Sequence, residues 1–185
     1  MGLPQSNEYY TYADYCTWED SERWELIEGI PYAMSPAPGW RHQGTSGEIH
    51  RQLSNFLRGK PCKVFAAPFD VRLNAAYEDD IVVQPDLVVI CDRSKLSGTG
   101  YSGIPDLVIE ILSPSTARHD RWVKFRLYQQ AEVREYWLVD PDTKTVQVCI
   151  LHDGLYVTYM YADTDTAPVS VLPGCEINLG DVFAE

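Results

Sequence analysis

The residues with the most chemical reach in this 185-residue chain are acids set in apolar strands. The run Ile104-Pro105-Asp106-Leu107-Val108-Ile109-Glu110-Ile111-Leu112 is β-branched and apolar apart from Asp106 and Glu110. Alternate strand residues share a face, so Asp106, Val108, Glu110 and Leu112 point the same way. A carboxylate buried in mid-strand is costly unless it is paired or bound to metal. Glu110 is therefore either a metal ligand or the partner of a basic residue on the following helix. Asp106 cannot share an ion with it, because four strand residues span about 13 Å and metal–oxygen bonds are about 2.1–2.5 Å long. Asp106 reads as a strand-start acid. A second ligand has to come from a neighbouring strand, about 4.8 Å away. Asp86, opening Asp86-Leu87-Val88-Val89-Ile90, is the candidate; its alternative is a turn acid after Pro85.

Two acids and an ammonium group suit phosphodiester hydrolysis. A divalent ion held by the acids polarises a phosphate oxygen and lowers the pKa of a bound water, and an ammonium orients that water or stabilises developing charge. Lys124 is the candidate cation. Its alternative is an i,i+4 pair with Asp120 on a helix surface, the reading that spacing alone favours. Oxygen ligands point to Mg²⁺ or Mn²⁺ rather than zinc.

The elements that would position these groups are legible in the pattern. Thr11–Trp18 reads as a short helix. Trp24–Met34 reads as a hairpin turning at Glu28-Gly29, and Ser35–Gly39 as a loop. Ile49, Leu53, Phe56 and Leu57 recur at helical spacing within Arg41–Leu57. Lys63–Leu73 supplies one or two strands and Asn74–Asp80 a turn. Strands over Gln84–Ile90 and Ile104–Leu112 flank a loop at Ser94–Gly103. A helix over Asp120–Ala131 turns Val123, Leu127, Tyr128 and Ala131 inward. Glu135–Asp140 is a strand. Thr145–Leu151 and Leu155–Tyr161 form a hairpin through His152-Asp153-Gly154, and Val169–Phe183 ends the chain as a short strand and turn. This order predicts one α/β (α+β) domain over residues 1–185, with a mixed central sheet flanked by helices, an N-terminal hairpin and a C-terminal hairpin extension.

Composition narrows the function. The formal charge is −12, which argues against a broad electrostatic nucleic-acid surface. A divalent ion among clustered acids still draws in phosphate, and Arg118, His119, Arg121, Lys124 and Arg126 form a basic stretch within the acidic whole. No apolar run is long enough to span a bilayer, and Met1–Gln5 shows no secretory leader, so a cytoplasmic location is expected. The five cysteines, Cys16, Cys62, Cys91, Cys149 and Cys175, lack metal or redox spacing and read as free thiols.

The segments PDLVIEILSPST (105–116), D-x-x-x-K-x-x-x-Y (120–128) and EYWLVDP (135–141) resemble the Uma-two family of the PD-(D/E)XK nuclease superfamily. RWELIEGIPYAMSPAPGWRHQ (23–43), PFDVRL (68–73), QPDLVVI (84–90) and LPGCEINLGDVF (172–183) agree with it in order along the chain. The resemblance implies a restriction-endonuclease-like fold and a metal-dependent endonuclease acting on DNA. Residue by residue, Asp86 and Glu110 match the superfamily's acids, and Ile111 would lend its backbone carbonyl to the metal. The superfamily lysine falls at Leu112, so Lys124 takes its place. Glu48, on the first long helix, matches an accessory acid of some members. His42 matches a family position near that helix's start, where it either orients the site or caps the helix, the structural role being preferred. Analogy with enzymes that cut two strands implies a homodimer. A catalytically inactive binding or regulatory module is the alternative, and a hydrolase of small phosphate esters is a third reading.

Overall fold

The computed structural model describes residues 8–18, 23–34, 39–98 and 100–184. The loop expected at Ser35–Gly39 therefore lies outside the described residues except for Gly39.

The N-terminal hairpin forms where expected. Trp24–Ile27 (β1) and Ile30–Ala33 (β2) pair antiparallel around Glu28-Gly29. Both turn residues have positive φ, 52° and 74°, the requirement of a tight hairpin turn. Gly29 also has no room for a side chain, since a Cβ would sit 2.2 Å from the Tyr9 ring. Tyr12–Tyr15 (α1) precedes this hairpin. Trp18 meets Tyr10 and Trp24 edge to face and Tyr15 at a tilt, so these aromatics form a local cluster.

The central sheet has six strands: Lys63–Ala66 (β3), Leu87–Ile90 (β6), Leu107–Ile111 (β8), Glu135–Asp140 (β9), Thr145–His152 (β10) and Leu155–Ala162 (β11). Its order is β11-β10-β9-β8-β6-β3; β8–β9 is parallel and every other pairing antiparallel. A second sheet adds Asp70–Arg72 (β4), Val82–Val83 (β5) and Gly100–Ser102 (β7) to the N-terminal hairpin, in the order β2-β1-β5-β4-β7. Two expectations change here. The strand placed at Gln84 begins only at Leu87, because Pro85 turns the chain from one sheet into the other. The loop at Ser94–Gly103 contains β7, held by parallel pairing with β4.

Each face of the central sheet carries its own core. Leu87, Val89, Leu107, Ile109, Ile111 and Trp137 face Trp40–Phe56 (α2), which contributes Ile49 and Leu53 one turn apart. The chain end packs on this side as Thr166–Pro168 (β12), Glu176–Asn178 (β13) and Leu179–Val182 (α5), more structure than the strand and turn expected. Val88, Ile90, Val108, Leu112 and Tyr136 face the second sheet and the β8–β9 crossover helix. That crossover runs as Ala117–His119 (α3), a π-helical turn Asp120–Lys124, and Phe125–Gln130 (α4). Leu127 and Tyr128 are buried as expected, but so are Asp120 and Lys124.

The cysteine reading needs one correction. Cys62 and Cys91 lie directly opposite, one step beyond the Lys63↔Ile90 pair of β3 and β6, and are joined as a disulfide. Cys149 and Cys175 are buried free thiols and Cys16 is an exposed one. No helix among the described residues is long and apolar enough to cross a membrane.

Candidate active site

The β6–β8 register pairs Leu87 with Ile109 and Val88 with Val108. Continued by one step it sets Asp86 opposite Glu110. Both fall on the sheet face shared by Val88, Val108 and Leu112, since side chains alternate. The backbone ties the two acids together: Ile111 N–H donates to Asp86 Oδ2 at 2.8 Å, and Asp86 N–H lies 3.4 Å from Glu110 Oε2. A strand residue's N–H and C=O leave on the same edge, so the Ile111 carbonyl faces the same acids. Asp86, Glu110 and Ile111 line one open pocket of about 290 Å³ with His42, Arg23, Gln84, Asp120 and Lys124.

Lys124 is at the base of the pocket. Its Nζ donates to Glu110 Oε1 at 2.9 Å, lies 2.9 Å from Glu25 Oε1, and stands 3.7 Å from Asp120 Oδ1. The i,i+4 contact is therefore present, but as the longest of three, and only 4% of the residue is exposed. Tyr128 O–H donates to Glu110 Oε1 at 3.1 Å. The π turn is marked by the Phe125 N–H bonding to the Asp120 carbonyl, which also accepts from Tyr136 O–H at 3.2 Å. Such turns occur frequently at functional sites.

Burial pushes the Glu110 carboxyl well above its ordinary range; Lys124 pulls it back, while Asp120, Asp86 and Glu25 push it further up. Asp120 is raised for the same leading reason. Burial opposes charge on Lys124, yet Glu110, Glu25 and Asp120 outweigh it and hold the ammonium well above the usual lysine value. Three carboxyl groups, Glu110, Glu25 and Asp120, thus surround one fixed ammonium, and Asp86 stands on the far side of Glu110 from it.

This donor set fits a hard divalent cation. Among the described residues no group of three or more histidine, cysteine or acidic side chains is placed to hold a metal ion by side chains alone. Two carboxylates and one carbonyl in an open pocket do suit Mg²⁺ or Mn²⁺, since Mg²⁺ keeps several of its waters.

Other sequence-predicted residues fall differently. His42 does not cap α2, whose N-cap is Gly39. Its Nε2 sits 3.2 Å from Asp86 Oδ2, and its Nδ1 is buried without a hydrogen-bond partner among the described residues. Glu48 is not in the pocket; it pairs with Arg51 at 2.5 Å and Gln52 at 3.0 Å along α2. Asp106 accepts from Cys91 N–H at 2.6 Å and pairs with Arg134, away from Glu110. Leu112 is buried in the apolar core.

Glu25 and Gln84 are site residues that the sequence reading does not single out. Glu25 Oε1 accepts the Gln84 N–H at 2.9 Å as well as facing Lys124. Arg23 donates twice to Gln84 Oε1, at 2.8 and 2.6 Å. The Gln84 amide donates to Tyr15 and Asp70, at 3.0 and 2.9 Å. The one signal that could have found Glu25 is the one that marked Glu110, an acid inside an apolar strand.

A mixed sheet flanked by helices, with acids gathered where two central strands end, is the class that fold and site define. The chain belongs to the Uma2 family, described as "Putative restriction endonuclease", which it matches over residues 9–180. It shares its fold with the crystal structure of "a putative nuclease belonging to DUF820" from Anabaena variabilis, with a TM-score of 0.75 at 21% identity, over 94% of this chain and 97% of that one. Two Synechocystis sp. proteins are similar in sequence. Uncharacterized protein slr1290 is 29% identical over 157 residues, 82% of this chain and 80% of the relative. Uncharacterized protein sll1609 is 30% identical over 147 residues, 76% and 80%.

Proposed function

We propose that the chain is a Mg²⁺- or Mn²⁺-dependent nuclease hydrolysing phosphodiester bonds in DNA, with Asp86, Glu110 and Lys124 as its catalytic groups. The observation that carries this is the cross-strand pairing of Asp86 with Glu110 in an open pocket beside a buried ammonium. Family membership and the shared fold of the Anabaena putative nuclease support it. Asp86, Glu110 and the Ile111 carbonyl would hold the ion, which when bound would polarise a phosphate oxygen and acidify a water.

The chain's own groups divide the remaining work. Glu110 must give up its proton to serve as a ligand. Lys124 keeps its proton, so it acts by donating from Nζ, orienting a water or stabilising charge on a phosphate oxygen, and not as a base. Glu25 and Asp120 hold that ammonium in place. His42 orients Asp86 through Nε2. Arg23, at the pocket wall, is placed to meet a phosphate oxygen. A homodimer would set two such pockets on two strands.

One observation favours a second reading, a nuclease fold kept as a binding module. Leu112 stands where the superfamily lysine belongs, and Lys124 is enclosed by acids. Incubation of purified protein with plasmid and linear DNA in Mn²⁺ or Mg²⁺ tests the choice. The wild type is expected to cut and Asp86→Asn to lose both cutting and Mn²⁺ binding. Binding of Mn²⁺ without cutting of any DNA would favour the module, and cutting by Asp86→Asn equal to the wild type would overturn the site.

A further inference from the structure

The crossover helix that carries Lys124 inward presents a different chemistry outward. Arg118, Trp122 and Arg126 follow one another at four-residue spacing, so they form one stripe along its surface. Trp122 is 70% exposed, and among the described residues its ring meets no aromatic or cationic partner. Arg118 and Arg126 are exposed and have no ion-pair partner among the described residues. Arg121, beside them, is held by Asp140 at 3.3 Å. Shallow hollows border Trp122, one lined by Ser115, Arg118, His119 and Val123, another by Glu28, Arg126 and Gln130. Ser115 also lines the Asp86–Glu110 pocket, so the stripe and the pocket are continuous.

Unengaged arginines on a chain of formal charge −12 select an anionic partner, and an open indole between them selects a flat ring. Phosphates and a base at one repeat meet both demands. In a closed duplex each base face is covered by its neighbours, so an indole finds a free face only where bases are unpaired.

We propose that this helix face binds an unpaired DNA strand, with a base stacked on Trp122 and flanking phosphates on Arg118 and Arg126, and leads it past Ser115 into the pocket. The inference rests on the nuclease reading and narrows its substrate to single-stranded or frayed DNA.

The test is fluorescence anisotropy of a dye-labelled 20-nucleotide single strand, and of the same sequence as a closed duplex hairpin, in chelator at low salt. The wild type is expected to bind the single strand more tightly. Trp122→Ala should raise Kd about 5- to 150-fold, the span of one base–aromatic stack, and Trp122→Phe should restore most of the affinity. Arg118→Ala with Arg126→Ala should flatten the slope of log affinity against log salt by about 1.4, two contacts at about 0.7 each. Unchanged single-strand affinity in Trp122→Ala, or tighter binding of the duplex, overturns the inference. The two readings fail separately: a protein that binds through Trp122 but never cuts in Mn²⁺ keeps this surface and loses the nuclease, whereas one that cuts and binds equally well without Trp122 does the reverse.

Discussion

Lys124→Met gives the sharpest test of the buried charge cluster. On a helix surface the lysine's pair with Asp120 would contribute at most about 0.5 kcal/mol. The structure instead buries Nζ between Glu110 and Glu25, 2.9 Å from each. Methionine keeps the apolar stem but removes the ammonium these acids share. Breaking a buried pair by deleting one partner costs about 3–5 kcal/mol. For a chain of this size each kcal/mol moves the melting temperature by about 2–4 °C, so Lys124→Met should melt about 6–20 °C lower at pH 8 in chelator. The loss should shrink toward pH 5, where the raised carboxyls of Glu110 and Asp120 take up protons and no longer need the cation. The double variant Glu25→Gln, Lys124→Met should recover part of the loss, giving a measurable coupling. Thermal unfolding of the four proteins of the cycle at both pH values supplies the data. A shift under about 2 °C at pH 8, less than a single kcal/mol would produce, or one independent of pH, would refute the reasoning. Under the nuclease reading the same variant should lose turnover by about 10²-fold or more while retaining Mn²⁺ binding.

Glu110→Gln should bind Mn²⁺ poorly and cut no DNA. In the metal-free wild type, burial raises the Glu110 carboxyl above its ordinary value of 4.5. A raised group contributes stability that is complete below that ordinary value and is lost as pH rises through the raised one. The amide escapes this loss, so the stability of Glu110→Gln relative to wild type should improve from pH 5 to pH 8 in chelator; an unchanged margin across that range would count against it. Glu48→Gln should leave cutting and Mn²⁺ binding unaltered and cost no more than about 0.5 kcal/mol, because Glu48 serves a pair along α2. A tenfold loss of cutting in that variant would return Glu48 to the site.

Much of this arrangement is legible in residues that obey a period. Ile49 and Leu53 announce α2. Asp153-Gly154, with positive φ at both positions, announces the β10–β11 hairpin. Asp86 and Glu110 are legible as acids that apolar strands would otherwise exclude, but that signal does not discriminate. Glu25 and Glu135 are buried strand acids too. Glu135 accepts from Trp137 Nε1 at 2.7 Å and from Val171 N–H at 2.9 Å, a structural role remote from the pocket. What separates these acids is where each strand ends and which face it turns, and pairing sets both. β7 is illegible for the same reason, since Gly100-Tyr101-Ser102 has no strand pattern of its own. The disulfide is hidden because Cys62 and Cys91 are neighbours only once β3 and β6 are in register. Lys124 looks like a surface residue because the helix pattern carries no sign of the π turn or of the second sheet that covers it.

Three residues, Gln84-Pro85-Asp86, join β5 of one sheet to β6 of the other. The pocket is assembled at that corner: Asp86 and Glu110 from the six-stranded sheet, Glu25 from the five-stranded one, Lys124 from the helix between them. A chain with only the larger sheet formed holds the two acids, yet lacks Glu25 and the anchored Gln84 backbone. A chain with only the smaller sheet has no cross-strand pair at all. The pocket therefore exists only where both sheets and the crossover helix meet. Under the nuclease reading, a chain that lacks either sheet carries no assembled centre and should cut no DNA.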